Sequence, residues 1–140
     1  MNVDKESKQT EDEVVQKLII HLENNGWIID SFCLGHTHGC DIVATKNKIE
    51  LVIEVKGARA SDNSPVKKRD FFDSGQIKTH FGKSMVKVLE EMHKRPNSTF
   101  GIAHPDDADI RKAIGHLVSN LKKLNIIHYW VKINGEIVEE

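Results

Sequence analysis

Three charged side chains interrupt an otherwise apolar stretch of the chain. Asp41 precedes Ile42-Val43-Ala44, and Glu54 and Lys56 flank Val55 after Leu51-Val52-Ile53. Lys46-Asn47-Lys48 lies between the two apolar runs and predicts a turn, so Asp41 to Thr45 and Ile49 to Lys56 pair as an antiparallel hairpin. With the turn centred near Asn47, Asp41 falls opposite Ile53 or Glu54. Residues two apart on a strand share a face, so Glu54 and Lys56 point together while Val55 points into the core. Carboxylates gathered on an apolar sheet repel, and each raises the other's pKa unless a cation sits between them. A hard divalent ion resolves that conflict, and Mg²⁺ typically takes one or two carboxylates plus a substrate phosphate. Such an ion stabilises charge developing at phosphorus and activates water, and a neighbouring lysine orients that water or holds the phosphate. The opposing reading is a surface hairpin carrying a plain Glu54–Lys56 ion pair. The apolar density around the three residues weighs against it. Gly39 and Gly57 flank the motif and leave room for the backbone to turn and for a ligand to approach.

The elements that must position these groups follow from periodicity. Val14, Val15, Leu18, Ile19 and Leu22 mark one face of a helix from Glu11 to about Asn24. Thr10 with Glu13 forms its capping box, and Asn25-Gly26 ends it. Trp27 to Leu34 reads as a strand. Gly57 to Asp73 is a long polar loop with a basic cluster, Lys67-Lys68-Arg69; such loops are often functional. A second helix runs from about Ser74 to Met92 with Ile77, Phe81, Met85, Val88, Leu89 and Met92 inward. Thr99 to Ala103 is a strand. Pro105 and Asp106 open a third helix to about Leu124, with acids at its start and Lys122 and Lys123 at its end, as the helix dipole favours. Ile126 to Ile133 is the last strand, followed by an Asn134-Gly135 turn. The order is αβββαβαβ: an α/β fold with an αβββαβ core on a mixed central sheet and an added C-terminal αβ unit.

At 140 residues the chain is expected to form a single domain over residues 10–140, with residues 1–9 as a frayed tail. No apolar run approaches a membrane span, and no secretory signal core is present. Cys33 and Cys40 lie too close to suggest a disulfide framework, which favours a reduced cytoplasmic protein. The net charge of −1 is unevenly spread: residues 1–30 hold seven acids and three bases, whereas residues 46–95 hold twelve bases and seven acids. The middle of the chain is therefore the anion-facing candidate.

Gly39-Cys40-Asp41-Ile42, twelve residues between Asp41 and Glu54, and then Glu54-Val55-Lys56-Gly57 resemble the signature of PD-(D/E)xK nucleases. The amphipathic first helix, ending in Gly26-Trp27, is similar to that of Holliday-junction resolvases and modification-dependent restriction enzymes. Cys40 departs from the proline many members carry. The resemblance spans about Glu11 to Gln76. It implies a restriction-endonuclease-like fold and Mg²⁺- or Mn²⁺-dependent hydrolysis of DNA, endonuclease more than exonuclease. Asp41, Glu54 and Val55 are the implied metal set, with Lys56 assisting. It also implies an acidic residue on the first helix: Glu11 lies within the apolar arc, whereas Glu13 lies off it and is left to cap the helix. Family members often carry a Gln or Lys at the start of the second helix, where Gln76 stands. Gln76, His80, Lys83 and Lys87 form a polar stripe opposite that helix's apolar face; with Lys67, Lys68 and Arg69 they are the candidate DNA contacts, and a plain solvated face is the alternative. Few aromatics accompany them, so backbone contact with duplex or branched DNA is expected, by a homodimer if both strands are to be cut. His36 and His38 lack the further ligands of a zinc site. The alternatives are a catalytically silent nuclease-fold protein that binds nucleic acid or a partner protein, and a small-molecule binding module.

Overall fold

The computed structural model describes residues 8–35, 39–60 and 71–140. Helix α1 spans Glu11–Asn24, and strands β1, β2 and β3 span Ile28–Phe32, Ile42–Lys46 and Ile49–Val55. Helix α2 covers Ser74–Lys94, β4 Thr99–Pro105, α3 Ala108–Val118, β5 Ile126–Val131 and β6 Ile137–Glu139; a 3-10 turn, Leu121–Leu124, leads into β5. The six strands lie in sequence order in one sheet. β1–β2, β2–β3 and β5–β6 pair antiparallel, and β3–β4 and β4–β5 pair parallel. This is the mixed-sheet αβββαβ core with a C-terminal αβ unit, extended by one strand.

The hairpin register is set by its turn. Lys46 pairs with Ile49, and Asn47 and Lys48 between them have φ of 51° and 68°. A two-residue loop with both φ positive matches the right-handed twist of the flanking strands. Alternation along β3 then divides the core. Leu51, Ile53 and Val55 pack with Val14, Val15, Leu18 and Leu22 of α1. Val52 packs on the other face with Ile77 and Val88 of α2 and Ile110 and Ile114 of α3. The sheet is therefore a middle layer, with α1 on one side and α2 and α3 on the other.

Five expectations are corrected here. Lys8 and Gln9 are not frayed: they are 3% and 2% exposed. Gln9 Nε2 donates to the Val131 carbonyl at 2.8 Å, and Lys8 Nζ reaches Asp107 and Asp109 at 2.6 and 2.8 Å. The polar side chains are buried because each meets a partner. The third helix begins at Ala108, not at Pro105, which ends β4; Asp107 caps it, its carboxylate accepting from Asp109 N and Ile110 N. That helix also ends at Val118, and the 3-10 turn covers the rest of the expected span. Leu89 is 49% exposed, while Ser84 and Glu91 point inward in its place. The chain after Asn134-Gly135 is a strand: β6 covers the outer edge of β5, with Val131 paired to Ile137.

Candidate active site

Each site residue is held by the end of a regular element. The register that pairs Ile42 with Ile53 continues one step to set Asp41 beside Glu54. Asp41 is 8% exposed, and its Oδ2 accepts the Val55 N–H at 2.8 Å. That bond ties the carboxyl to the end of β3. Lys56 N donates to the Ala103 carbonyl at 3.0 Å, which carries the β3–β4 pairing one residue further and fixes where the lysine leaves the sheet.

Glu11 arrives from the other side of the sheet. It is the first residue of α1, whose capping box closes at Thr10: Thr10 Oγ1 accepts from Glu13 N and Glu13 Oε1 accepts from Thr10 N, both at 3.2 Å. Acids there complement the helix dipole. What brings this helix start to the sheet is Gly57. A Cβ at Gly57 would stand 2.5 Å from Glu11 N and 2.8 Å from the Thr10 carbonyl carbon, closer than packing allows. The space predicted for a ligand is filled by the backbone of α1. Ala58 N then donates to the Gln9 carbonyl at 2.7 Å, and Thr10 bridges to Arg59 as a one-residue parallel pairing.

These constraints bring Glu11, Asp41, Glu54 and Lys56 together. Asp41 stands close enough to act on both glutamates, by its charge and by side-chain hydrogen bonding. Burial and then the Asp41 charge push Glu11 up to about 7, while Lys56 pulls it down. The same two causes push Glu54 up to about 8, opposed by Lys56 and Lys87. Clustered carboxyls raise one another in this way, because the charge of each disfavours ionisation of the next. Among the described residues no group of three or more His, Cys, Asp and Glu side chains forms a ready metal cage. Val55 has no side-chain donor, so only its backbone carbonyl could enter a metal's shell, while its N–H donates to Asp41.

The fold has solved counterparts. A crystal structure of an XisH family protein from Nostoc punctiforme superposes with a TM-score of 0.56 at 18% identity, covering 91% of this chain and 97% of that one. A crystal structure of an fdxN element excision controlling factor protein from Anabaena variabilis gives 0.57 at 15% identity, covering 91% and 96%. At these identities the likeness is one of fold. No family model and no curated protein matches the chain. No helix among the described residues is long and apolar enough to cross a membrane.

The remaining candidates divide. Gln76 stands at the start of α2, but its side chain closes a second capping box: Gln76 Oε1 accepts from Asp73 N at 3.0 Å, and Asp73 Oδ1 accepts from Gln76 N at 2.8 Å. Its carbonyl is spent on the helix start rather than on the carboxyl cluster. The stripe of α2 does not lie opposite the apolar face but along its border. His80 is half-buried, stacked edge-on against Phe72 at 4.5 Å, and held below its ordinary pKa by burial and then by Lys56. Lys87 is close enough to lower Glu54, and it pairs with Glu91 at 3.9 Å. Lys83 is exposed. Lys67, Lys68 and Arg69, like His36 and His38, lie outside the described residues.

Two features went unread in the sequence. Glu91 is 5% exposed and meets Arg95 at 3.2 Å as well as Lys87; burial and then Glu91 raise the Cys40 thiol, so Cys40 is tied to α2. His104 and His128 form a fully buried pair, with His104 Nδ1 2.9 Å from His128 Nε2 and rings stacked at 5.1 Å. The parallel pairing of Val55 with Ala103 continues to set His104 beside Lys56. The far nitrogens, His104 Nε2 and His128 Nδ1, have no hydrogen-bond partner among the described residues. Burial holds both rings neutral: His104 well below its ordinary value and His128 down to about 3.

Proposed function

We propose that the protein is a metal-dependent deoxyribonuclease of the PD-(D/E)xK type. The observation that carries this reading is the meeting of Glu11, Asp41 and Glu54 beside Lys56 at the end of β3. Three acids gathered in a half-buried site, two of them pushed up by burial and by the third's charge, are a standing electrostatic conflict. A divalent cation relieves it, and the all-oxygen donor set suits Mg²⁺ or Mn²⁺, which need one or two carboxylates beyond the substrate's own phosphate. Asp41 and Glu54, with the backbone of Val55, would hold the ion. When bound, it supplies a more acidic water and charge compensation at phosphorus.

The chain's own residues do the rest. The Val55 N–H fixes the Asp41 carboxyl at the end of β3. Glu11, held beside Asp41 at the start of α1, is placed to orient the attacking water. Lys56 offers an ammonium on the Glu54 face, where it can donate to a phosphoryl oxygen as negative charge builds. His80, Lys83 and Lys87 border the same end of the sheet and supply contacts to the DNA backbone, which fix the strand without reading its sequence. A homodimer would give a duplex the two sites that its two strands require.

The test is plasmid nicking with Mg²⁺ or Mn²⁺, with and without chelator, on wild type and Asp41→Asn. Nicking should depend on the cation and vanish in the variant, with the circular dichroism of the fold unchanged. Calorimetry should show Mn²⁺ affinity lost alongside. Chelator-insensitive cleavage, or an Asp41→Asn protein that cuts as wild type does, overturns the reading.

A further inference from the structure

We infer that the cavity between the first turn of α2 and the outer side of α3 binds a nucleotide, an aromatic ring carrying a phosphate, either free or as the terminal unit of a strand. The cavity measures about 460 Å³, within the range of small-ligand sites. Phe71, Phe72 and Ala113 give it an apolar wall, and Lys78, Lys112 and His116 line it as well. It is separate from the carboxyl cluster. Lys78 and Lys87 are nine residues apart on α2, which at 100° per residue puts them about 180° apart around the helix. Lys87 is the one whose charge reaches Glu54.

Charge and anchoring both point to an aromatic anion. The two acids in the wall are already engaged: Asp73 accepts the Gln76 N–H, and Asp109 accepts from Lys8 Nζ at 2.8 Å. The side chains of Lys78, Lys112 and His116 have no hydrogen-bond or ion-pair partner among the described residues, whereas both acids already accept a hydrogen bond. The aromatic wall is also fixed in place before any ligand arrives. The Lys8 ammonium sits 5.2 Å over the Phe71 ring, Phe72 N donates to the Ala58 carbonyl at 2.9 Å, and the Phe72 ring packs edge-on against His80 at 4.5 Å. Base–aromatic stacking with nearby cations for the phosphate is the general means of holding a single nucleotide. A bare phosphate would leave the apolar wall unused, and a bare nucleoside would leave the lysines unused.

The experiment is an NMR titration of the full chain with deoxyadenosine 5′-monophosphate, deoxyadenosine, inorganic phosphate and a 5′-phosphorylated trinucleotide. The monophosphate should shift the resonances of Lys78, Lys112 and His116 saturably, with deoxyadenosine and phosphate each binding about tenfold more weakly or worse. Tighter binding of the trinucleotide identifies a strand end as the occupant, and equal binding identifies the free nucleotide; either supports the site. Lys78→Ala with Lys112→Ala should weaken the monophosphate about tenfold, while Lys122→Ala with Lys123→Ala, an equal change of charge elsewhere on the surface, should not. The inference is overturned by phosphate alone matching the nucleotide, by shifts that gather at Glu54 instead, or by no shifts at all. These outcomes are independent of whether the protein cleaves DNA.

Discussion

Asp41 is the pivot of the cluster because its carboxyl meets Glu11, Glu54 and the Val55 N–H at once. Lys56 is different in kind. The β3–β4 pairing sets its backbone, so truncating its side chain should leave the fold alone. Lys56→Ala is expected to lower kcat about 10²-fold or more with KM little changed, the scale of losing one transition-state donor; steady-state kinetics showing full turnover would remove it from the chemistry. Glu11 and Glu13 are separable by the same logic. Glu11→Gln should impair cleavage, whereas Glu13→Gln should reduce stability by up to about 1 kcal/mol through the weakened cap and spare activity. The opposite pattern in paired melts and assays would put the catalytic role on Glu13. The juxtaposition of Asp41, Glu54 and Lys56 was legible in the sequence because a hairpin's register follows from its own turn, and Glu11's place followed from helical angle. Gln76 was ambiguous because a glutamine three residues after Asp73 reads equally as a site residue or a cap. His104 and His128 were not legible at all: their meeting depends on two parallel pairings, whose register is set by the crossover helices rather than by any local pattern.

At the scale of elements, the decisive contact is that of α1's first turn on Gly57. The two come from segments more than forty residues apart, yet no side chain mediates the contact; backbone meets backbone where a Cβ has no room. Gly57→Ala should push the start of α1 away from the sheet, at a cost of about 1–3 kcal/mol, the usual range for overpacking. Because Glu11 rides on that turn, activity should fall further than the loss of folded protein explains. Gly82→Ala provides the contrast: nothing lies within 4 Å of a Cβ there, and it sits within α2. It should raise stability by about 0.5–1 kcal/mol with no effect on cleavage. Thermal melts with activity normalised to folded protein distinguish the two; equal activity in both variants would mean that α1's position does not matter to the site. Most elements were readable because their apolar periodicity was strong. β6 was missed because Ile137-Val138-Glu139 is too short to carry a period, and it becomes a strand through pairing with β5. Leu89 was misplaced because Ser84 and Glu91 took inward positions, each with a partner: Ser84 Oγ donates to the Phe81 carbonyl at 2.7 Å, and Glu91 meets Arg95. A pattern that counts only apolar residues cannot see a polar side chain that is buried because it is satisfied.

At the scale of the whole molecule, two buried groups of opposite character set how stability depends on pH. Glu11 and Glu54 have folded-state values of about 7 and 8 against an ordinary 4.5. Above about pH 4.5 the unfolded chain ionises these carboxyls while the folded one retains their protons, so stability falls as pH rises and goes on falling up to about 8. His104 and His128 act in the other direction. Both are held below their ordinary 6.5 by burial, so below that pH the unfolded chain takes up protons that the folded one refuses, and stability falls as pH drops. The two limbs overlap between about 4.5 and 6.5, and the metal-free protein should be most stable in that window. Only the alkaline limb passes through the proposed metal site. Thermal melts across the pH range in chelator should show both limbs, with the alkaline one amounting to about 1–3 kcal/mol once the coupling between the two glutamates and their partial exposure are allowed for. Millimolar Mg²⁺ should flatten the alkaline limb and leave the acidic one in place, because a cation stabilises the ionised carboxyls and does nothing for a buried imidazole pair. Glu54→Gln should flatten the alkaline limb without any metal. A Mg²⁺ response that shifts both limbs equally, or neither, would mean that the cation does not bind at the carboxyl cluster, and the proposed chemistry would lose its centre even if the fold and every contact around it were correct.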